Sequence, residues 1–325
     1  MTSSSTIRST AQPANGIHRR AWLRTAAGVA IVGATSTTIG RSKPAQGAPA
    51  PPSDGSNRGI IFKAVKIGMI QTGETLADKF QVLKELGFDG VELNSPSTID
   101  PREAVAASRQ IGLPIHGTVD SIHWKTRFSD PNPAVRAKAF EGLQRALRQT
   151  HALGGSAVLL VPGKVTDPQK ENHDQVWSRS IAGIRKTIPL AARLGVRILI
   201  ENVWNGFCYQ PDGPNDQTAD MLARYLDEIN SPWVGSYFDI GNHIKYARPA
   251  EWIRTLGHRI VKLDVKDFTR PNQWSDIGSG DADWPAVRTA LKEIGFAGWA
   301  TAEVGGGGRD RLQQIAQQMD QVLGL

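Results

Sequence analysis

Arg197-Ile-Leu-Ile-Glu-Asn-Val-Trp204 runs from an apolar segment straight into a carboxylate, Glu201, and then into polar and aromatic residues. Apolar runs of this length are typical of buried parallel strands, whose carboxyl ends open into ligand sites. Because carboxylates are rare at buried positions, strand ends that each carry one predict a shared site. Three later segments end at an acid in the same way: Val234-Gly-Ser-Tyr-Phe-Asp239, Ile260-Val-Lys-Leu-Asp264 and Trp299-Ala-Thr-Ala-Glu303.

On both sides of this stretch, short apolar runs alternate with amphipathic segments from Val65 to the end of the chain. The other expected strands are Val65–Ile70, Val91–Leu93, Leu113–His116 and Ala157–Val161. Helices are expected over about 76–86, 101–110, 133–153, 175–194, 218–229, 250–256, 284–294 and 309–323. Eight strand–helix units without a composition break predict one α/β domain, a parallel (β/α)8 barrel over residues 65–325. An open doubly wound sheet is the alternative, but no Gly-x-Gly-x-x-Gly turn follows the first strand.

The composition is that of a globular protein, with 40% apolar and 21% charged residues in a chain of 325. The formal charge of +7 comes mostly from residues 1–48, which contain six basic residues and no acid. The remaining residues include 32 basic and 31 acidic side chains. This balance argues against a nucleic-acid partner.

The first 48 residues have the layout of an export signal. His18-Arg-Arg-Ala-Trp-Leu-Arg24 precedes a short, weakly apolar segment from Ala26 to about Ile39, and small residues follow up to Ala48. The arginine pair resembles a twin-arginine signal, which implies the twin-arginine machinery as a partner and a bacterial periplasmic location. A disordered basic tail is the alternative. Residues 49–64 are expected to be a linker.

Cys208 is the only cysteine, so no intramolecular disulfide forms, which fits folding before export. No segment of the chain approaches the length of about 20 apolar residues that a stable membrane span needs.

The four acids end the fifth to eighth predicted strands and should converge at the barrel mouth. Carboxylates this close repel each other at neutral pH, and a divalent cation would remove that repulsion. An all-oxygen donor set favours a hard ion such as Mn²⁺ or Mg²⁺ over Zn²⁺. The alternative is that each acid caps a helix or pairs with a nearby lysine or arginine.

Five segments carry a family resemblance, in this order: Ile200-Glu-Asn202, Ser231-Pro-Trp-Val-Gly-Ser-Tyr-Phe-Asp-Ile-Gly-Asn242, Lys262-Leu-Asp-Val-Lys-Asp267, Gly278-Ser-Gly-Asp-Ala-Asp-Trp284 and Gly295 to Glu303. They resemble the xylose-isomerase-like sugar isomerase/epimerase superfamily, and the ketose 3-epimerases and pentulose- or hexulose-phosphate epimerases most closely in pattern. The resemblance covers nearly everything after residue 65.

The resemblance implies one divalent ion, with Mn²⁺ expected and Mg²⁺ or Co²⁺ as alternatives. Its ligands would be Glu201, Asp239, Asp264 and Glu303. Asp264 is a departure, because the family commonly has His at this position, and the carboxylate makes the site more anionic. A second departure is Asn242, where many relatives have a substrate-facing His; His243 lies one position later.

The resemblance also implies the chemistry: the metal binds a sugar carbonyl and an adjacent hydroxyl, and stabilises an enediolate while Glu201 and Glu303 act as acid and base. Further substrate-binding candidates are His116 and Glu92, expected at the ends of the third and second strands, and Trp204, Asn242, His243 and Lys266. For His116 the alternative is a structural role, and for Glu92 it is pairing with a basic side chain. For Lys266 the alternative is an ordinary ion pair with Asp267.

The sequence therefore predicts a metal-dependent isomerase or epimerase of a carbohydrate. Proton return from the opposite face would give epimerisation and return to the adjacent carbon isomerisation, and the sequence leaves both open. Export favours a free or oxidised sugar over a phosphosugar, and an oligomer is compatible with the sequence. One alternative is a metal-dependent lyase or hydrolase that cleaves 3-keto glycosides through the same enediolate. Another is a non-catalytic sugar-binding barrel. An endonuclease of this fold is disfavoured because its His-rich zinc site has no counterpart among the seven histidines of this sequence.

Overall fold

The computed structural model describes residues 57–271 and 273–325, which form a closed parallel barrel of eight strands surrounded by helices. The predicted export signal at residues 1–48 lies outside the described residues, and so does most of the predicted linker. The barrel closes where the first strand pairs with both the second strand and the last. The predicted (β/α)8 fold is therefore confirmed.

The barrel strands are short and buried. They are β1 (Ile61–Lys66), β2 (Gly90–Ser95), β3 (Ile115–Asp120), β4 (Ala157–Leu160), β5 (Arg197–Glu201), β6 (Val234–Asp239), β7 (Ile260–Val265) and β10 (Gly298–Ala302). The chain between β7 and the next helix adds an antiparallel hairpin, β8 (Asp267–Thr269) and β9 (Gln273–Ser275). This hairpin was not predicted, because strands of three residues leave no periodic pattern.

In the described part of the chain, eight α-helices cover the barrel, close to their predicted positions. They are α1 (Leu76–Glu85), α2 (Pro101–Ile111), α3 (Pro133–Ala152), α4 (His173–Leu194), α5 (Asp220–Ile229), α6 (Pro249–Leu256), α7 (Trp284–Glu293) and α8 (Arg309–Leu323). Local sequence explains their limits: Thr75 and Asn172 form capping boxes at the starts of α1 and α4, and Gly112 and Gly195 end α2 and α4 in the left-handed conformation. Within the described part of the chain, no helix has the length and apolar character needed to cross a membrane.

The first strand was predicted four residues too late. It was expected at Val65–Ile70, whereas β1 covers Ile61–Lys66 and residues Ile67–Met69 form a 3-10 turn. Two lysines interrupt the apolar pattern of this strand. The Lys63 ammonium pairs with Asp320 on α8, outside the barrel, at 2.6 Å. Lys66 is the last residue of the strand and lies beside the acids. With its start at Ile61, β1 begins within residues 49–64, the segment that was expected to be a linker.

The barrel interior below the mouth is partly polar. The Tyr237 hydroxyl donates to Glu92 Oε1 at 3.1 Å and lies 2.8 Å from Thr301 Oγ1, so β6, β2 and β10 meet across the centre. The Lys262 ammonium donates to the His116 carbonyl oxygen at 2.6 Å. All these side chains are buried, and each makes at least one hydrogen bond, although Glu92 Oε2 has no hydrogen-bond partner among the described residues. This layer forms the floor beneath the carboxylates.

Candidate metal centre and active site

Four carboxylates meet at the carboxyl-terminal mouth of the barrel. Glu201 and Asp239 are the last residues of β5 and β6, Asp264 is near the end of β7, and Glu303 follows β10. Each offers an oxygen, and these oxygens all lie within 4.8 Å of one another. Ligand oxygens lie about 2.0–2.6 Å from a hard divalent ion, so this spacing is right for one ion. The predicted convergence of the four acids is confirmed.

The donor set fits a hard divalent cation. Every donor is a carboxylate oxygen, and Asp264 Oδ1 is buried without a hydrogen-bond partner among the described residues. Asp239 Oδ2 lies 2.8 Å from the Lys266 ammonium, but this ion pair does not have hydrogen-bond geometry. Buried carboxylate oxygens are normally satisfied, so Asp264 Oδ1 is available for metal coordination, while Asp239 Oδ2 would have to exchange the Lys266 ammonium for the ion.

Two lysines lie among the carboxylates. The Lys66 ammonium is 2.7 Å from Glu303 Oε1 and 2.9 Å from Asp264 Oδ2, and the Lys266 ammonium pairs with Asp239 and Glu303. With all six groups charged, four negative and two positive charges leave a net −2, which one divalent ion would balance. Lys66 was missed in the sequence because β1 was placed too late. The feature of the sequence that could have identified Lys66 is a lysine at the end of an apolar run.

Burial and mutual repulsion dominate the protonation of the acids. Burial, followed by the charge of Glu303, raises the pKa of Glu201 to about 8. Burial also raises the pKa of Asp239 to about 6 and that of Asp264 well above its usual value. For Glu303 burial acts in the same direction, but Lys66 and Lys266 outweigh it and lower its pKa to about 2. A bound cation would favour the ionised form of all four.

Two asparagines hold the carboxylates in position. The Asn242 side-chain amide donates to Glu201 Oε1 at 3.3 Å and to the Asn202 carbonyl oxygen at 2.8 Å. The Asn242 backbone N–H donates to Asp239 Oδ1 at 2.7 Å. The Asn202 side chain in turn bonds the backbone N–H and C=O of Asp239. Asn242, expected to bind substrate, thus orients two of the acids and also lines the cavity above them.

A cavity of about 360 Å³ lies directly above the carboxylates. Three tryptophans border it: Trp204 is half-buried, while Trp124 and Trp274 are 46% and 49% exposed. The Trp204 indole N–H donates to the Asn242 carbonyl oxygen, and its ring stacks on Trp274 with centroids 5.1 Å apart. Lys266 and Trp204, both expected to bind substrate, therefore line a cavity of suitable size, and their substrate roles stay predictions.

Glu92 and His116 were expected at strand ends, and the structure places both near strand starts. β2 and β3 continue through polar residues to Ser95 and Asp120, beyond the apolar runs that were visible in the sequence. His116 stacks on Trp299 with ring centroids 4.6 Å apart, and Lys262 Nζ lies 2.9 Å from its Nδ1. Neither Glu92 nor His116 is among the residues that line the cavity. The interior position of His116 favours its structural alternative.

His243 is also buried away from the cavity. Its ring packs against Trp252 and Tyr209, with centroids 4.4 and 4.8 Å apart. Instead, His123 lines the cavity wall, and burial lowers its pKa to about 3, so its imidazole is neutral at pH 7. Lys266 does not form the alternative ion pair with Asp267, whose carboxylate accepts N–H groups of the following segment.

A larger cavity of about 610 Å³ lies at the opposite end of the barrel, near Arg197 and Arg259. None of the four carboxylates borders it, and the Arg259 guanidinium is already paired with both carboxylate oxygens of Asp227 at 2.7 Å. Catalytic residues of (β/α)8 barrels lie at the carboxyl ends of the strands. The cavity above the carboxylates is therefore the candidate active site.

Comparison with known proteins agrees with this fold. The family model described as "Xylose isomerase-like TIM barrel" matches residues 80–323. L-ribulose-5-phosphate 3-epimerase UlaE of Escherichia coli (strain SMS-3-5 / SECEC) is 24% identical over 258 residues, covering 74% of this chain and 87% of UlaE. The same epimerase of Salmonella paratyphi C (strain RKS4594) is 25% identical over 259 residues, with the same coverage of each chain.

Solved structures show the same fold. The 3-keto-D-glucoside 4-epimerase YcjR from Escherichia coli superposes with a TM-score of 0.65 at 19% identity, covering 82% of this chain and 99% of YcjR. An L-ribulose 3-epimerase superposes with a TM-score of 0.66 at 17% identity, covering 80% of this chain and 94% of that protein.

Proposed function

The chain belongs to the xylose isomerase-like TIM barrel family, and on that premise we propose that it is a divalent-metal-dependent sugar isomerase or epimerase. One observation carries the proposal: four carboxylates offer oxygens within 4.8 Å of one another beneath an aromatic cavity. The epimerase activities of UlaE and of the L-ribulose 3-epimerase support the reaction class. Mn²⁺ is the proposed ion, with Mg²⁺ or Co²⁺ as alternatives.

Glu201, Asp239, Asp264 and Glu303 would hold the ion. When bound, a divalent cation supplies Lewis-acid stabilisation for negative charge that develops on neighbouring sugar oxygens. The protein's own contribution is to move the proton: we assign the acid and base roles to Glu201 and Glu303. Asn242 positions the Glu201 carboxylate, and the two ammonium groups position that of Glu303. The Glu303 side chain is 33% exposed, so it is accessible from the cavity.

The cavity favours a sugar without a phosphate. Among the described residues that line it, the cations are Lys66 and Lys266, and both ammonium groups are already paired with carboxylates. His123 is neutral. A phosphate binds most tightly to unpaired arginine, lysine or backbone N–H groups, and the residues lining this cavity offer indole rings instead. A neutral sugar also agrees with the proposed export to the periplasm.

Metal content and proton exchange test the proposal together. Purified protein should contain about one Mn²⁺ or similar ion per chain, and Asp264→Ala should lose it. In D₂O, the loaded enzyme should exchange the proton beside the carbonyl of a ketose such as D-fructose, D-allulose or D-tagatose. Glu303→Gln should slow that exchange by at least about a hundredfold. Glu293→Gln, which removes a charge paired with Arg254 at the surface, is the matched control.

The other outcomes separate the alternatives. Release of the aglycone from a 3-keto glycoside, without exchange on free ketoses, would replace the epimerase with the lyase. Sugar binding that survives Glu303→Gln, with no exchange, would indicate a binding protein. Absence of metal even after addition of Mn²⁺ would contradict the central assignment of the carboxylates.

A further inference from the structure

A second cavity adjoins the one above the carboxylates. It has a volume of about 450 Å³, and Lys266, Trp274 and Glu303 line both cavities. Beyond these three, its walls include Ser275, Asp276, Val304, Gly305 and Arg311. A molecule that places its reacting carbon beside Glu303 therefore has space to continue into the second cavity, past the ring of Trp274.

Trp274 is an exposed platform between the two cavities. It lies on β9, and its side chain is 49% exposed although large apolar side chains are usually buried. One face stacks on Trp204, and the Lys266 ammonium lies 5.1 Å from the ring centroid. These contacts fix the ring while much of it stays open to solvent. Aromatic faces of this kind suit the apolar C–H faces of sugar rings.

Among the described residues that line the second cavity, the remaining charged groups are paired, so none is free for an anion. The Arg311 guanidinium pairs with Asp276 Oδ1 at 2.7 Å, and it also donates to the Gly305 carbonyl oxygen at 3.1 Å. Its positive charge is therefore compensated, while the guanidinium and the Asp276 carboxylate still offer donors and acceptors to hydroxyl groups. An aromatic ring and compensated polar groups that line the same cavity fit a neutral, hydroxyl-rich ligand.

We propose that the substrate is a glycoside with two sugar rings. The reacting ring occupies the first cavity above the carboxylates, and the second ring occupies the adjoining cavity against Trp274. This inference rests on the proposed function, because it adds a subsite to the same active site. The proton transfer is unchanged, and the glycosidic bond stays intact.

Matched sugar pairs test the second subsite. Isothermal titration of the Mn²⁺-loaded protein compares fructose with isomaltulose, glucose with maltose, and galactose with lactose, so that each pair differs by one ring. In at least one pair the disaccharide should bind about tenfold more tightly than the single ring.

Gly305→Phe supplies the variant that closes the second cavity. A Cβ at Gly305 would meet no atom within 4 Å, so the backbone accepts a side chain there. The phenyl ring should remove the preference for the disaccharide, while Gly305→Ala should keep it. Unchanged circular dichroism and thermal midpoint of the Phe variant verify its folding.

The results separate this inference from the proposed function. Equal binding within every pair, or a disaccharide preference that persists in Gly305→Phe, would overturn the second subsite. Proton exchange on single-ring ketoses would then leave the epimerase proposal standing. Failure of all six sugars to bind, together with no exchange, would reject both.

Discussion

Lys66 is one of two lysines whose charge opposes a metal at this site. Its ammonium contacts Asp264 and Glu303 at 2.9 and 2.7 Å, and its side chain is 13% exposed. Buried ion pairs of this kind stabilise mainly by preventing an uncompensated charge. Lys66 would therefore stabilise the metal-free barrel and at the same time compete with the proposed cation for two of its proposed ligands.

Replacing Lys66 with Met should accordingly change metal affinity and stability in opposite directions. The net charge of the four carboxylates and Lys266 becomes −3, so Mn²⁺ should bind at least about tenfold more tightly. The metal-free variant should lose about 3 kcal/mol of unfolding free energy, because buried acids lose their partner. Calorimetric titration with Mn²⁺ and urea unfolding measure the two effects.

The control is Lys63→Met, which removes a lysine of the same strand that pairs outside the barrel with Asp320 and should leave Mn²⁺ affinity unchanged. Equal affinity in wild type and Lys66→Met would contradict the competition.

Asn242 offers a second test, because it bonds two proposed ligands at once. Its side-chain amide donates to Glu201 and its backbone N–H to Asp239. Groups that orient metal ligands are typically worth about ten- to a hundredfold in affinity or activity, and we expect a loss of that size for Asn242→Ala. Titration with Mn²⁺ and the rate of solvent proton exchange both measure this loss.

Asn205→Ala is the control, since the Asn205 amide donates to the Gly163 carbonyl oxygen and bonds none of the four acids. A loss of Mn²⁺ affinity equal in both variants would assign Asn242 a general structural role.

At the scale of elements, Asp267 holds the segment that carries Trp274. Its Oδ2 accepts from the Gly278 N–H at 3.1 Å and from the Trp284 indole at 2.8 Å, and its Oδ1 accepts from the Ala282 N–H at 3.2 Å. Gly280 packs so closely that a Cβ there would lie 2.2 Å from Asp267 Oδ1. One buried carboxylate thus joins the β8–β9 hairpin to the start of α7.

Asp267→Ala should lower the free energy of unfolding by about 3 kcal/mol, because several buried N–H groups lose their acceptor. It should also weaken sugar binding through Trp274, which no longer has a fixed support. Urea unfolding and sugar titration measure the two effects. Asp283→Ala is the comparison: it removes only the N-cap of α7, worth about 1 kcal/mol. Equal stability of the two variants would show that Asp267 does not anchor the hairpin.

The elements differ in how far the sequence alone could predict them. The helices could be predicted because caps, prolines and glycines mark their ends in the local sequence. Four strands could be predicted because an acid ends or directly follows each apolar run: β5, β6, β7 and β10. β1 was misplaced, since the environments that bury Lys63 and Lys66 are formed by α8 and by the barrel mouth, which are distant in sequence. His116 and Glu92 were assigned to strand ends for a related reason. Polar residues extend β2 and β3, and only pairing with neighbouring strands shows where they stop.

For the whole molecule, the charge distribution separates the barrel from the residues that precede it. Residues 1–48 carry six basic side chains and no acid, while the remaining 32 basic and 31 acidic residues nearly balance. The one cysteine, Cys208, is buried, and burial raises the pKa of its thiol. It is therefore protected from oxidation, and the barrel needs no oxidising compartment to fold. These properties agree with the proposal that the protein folds first and is exported afterwards.

The export proposal predicts that the paired arginines are essential for transport. Changing Arg19 and Arg20 together to lysine keeps the positive charge but removes the pair that the twin-arginine machinery would recognise. The variant should accumulate in the cytoplasm at its unprocessed size, folded and able to bind Mn²⁺, while the wild type is recovered from the periplasm. Immunoblots of separated cell fractions measure this distribution. Arg8→Lys combined with Arg41→Lys changes two other leader arginines and should leave export intact. Periplasmic recovery of the Arg19/Arg20 variant would contradict the twin-arginine route, and with it the argument from location for a substrate without phosphate. The paired lysines of the cavity would then remain as the independent reason to expect a neutral sugar.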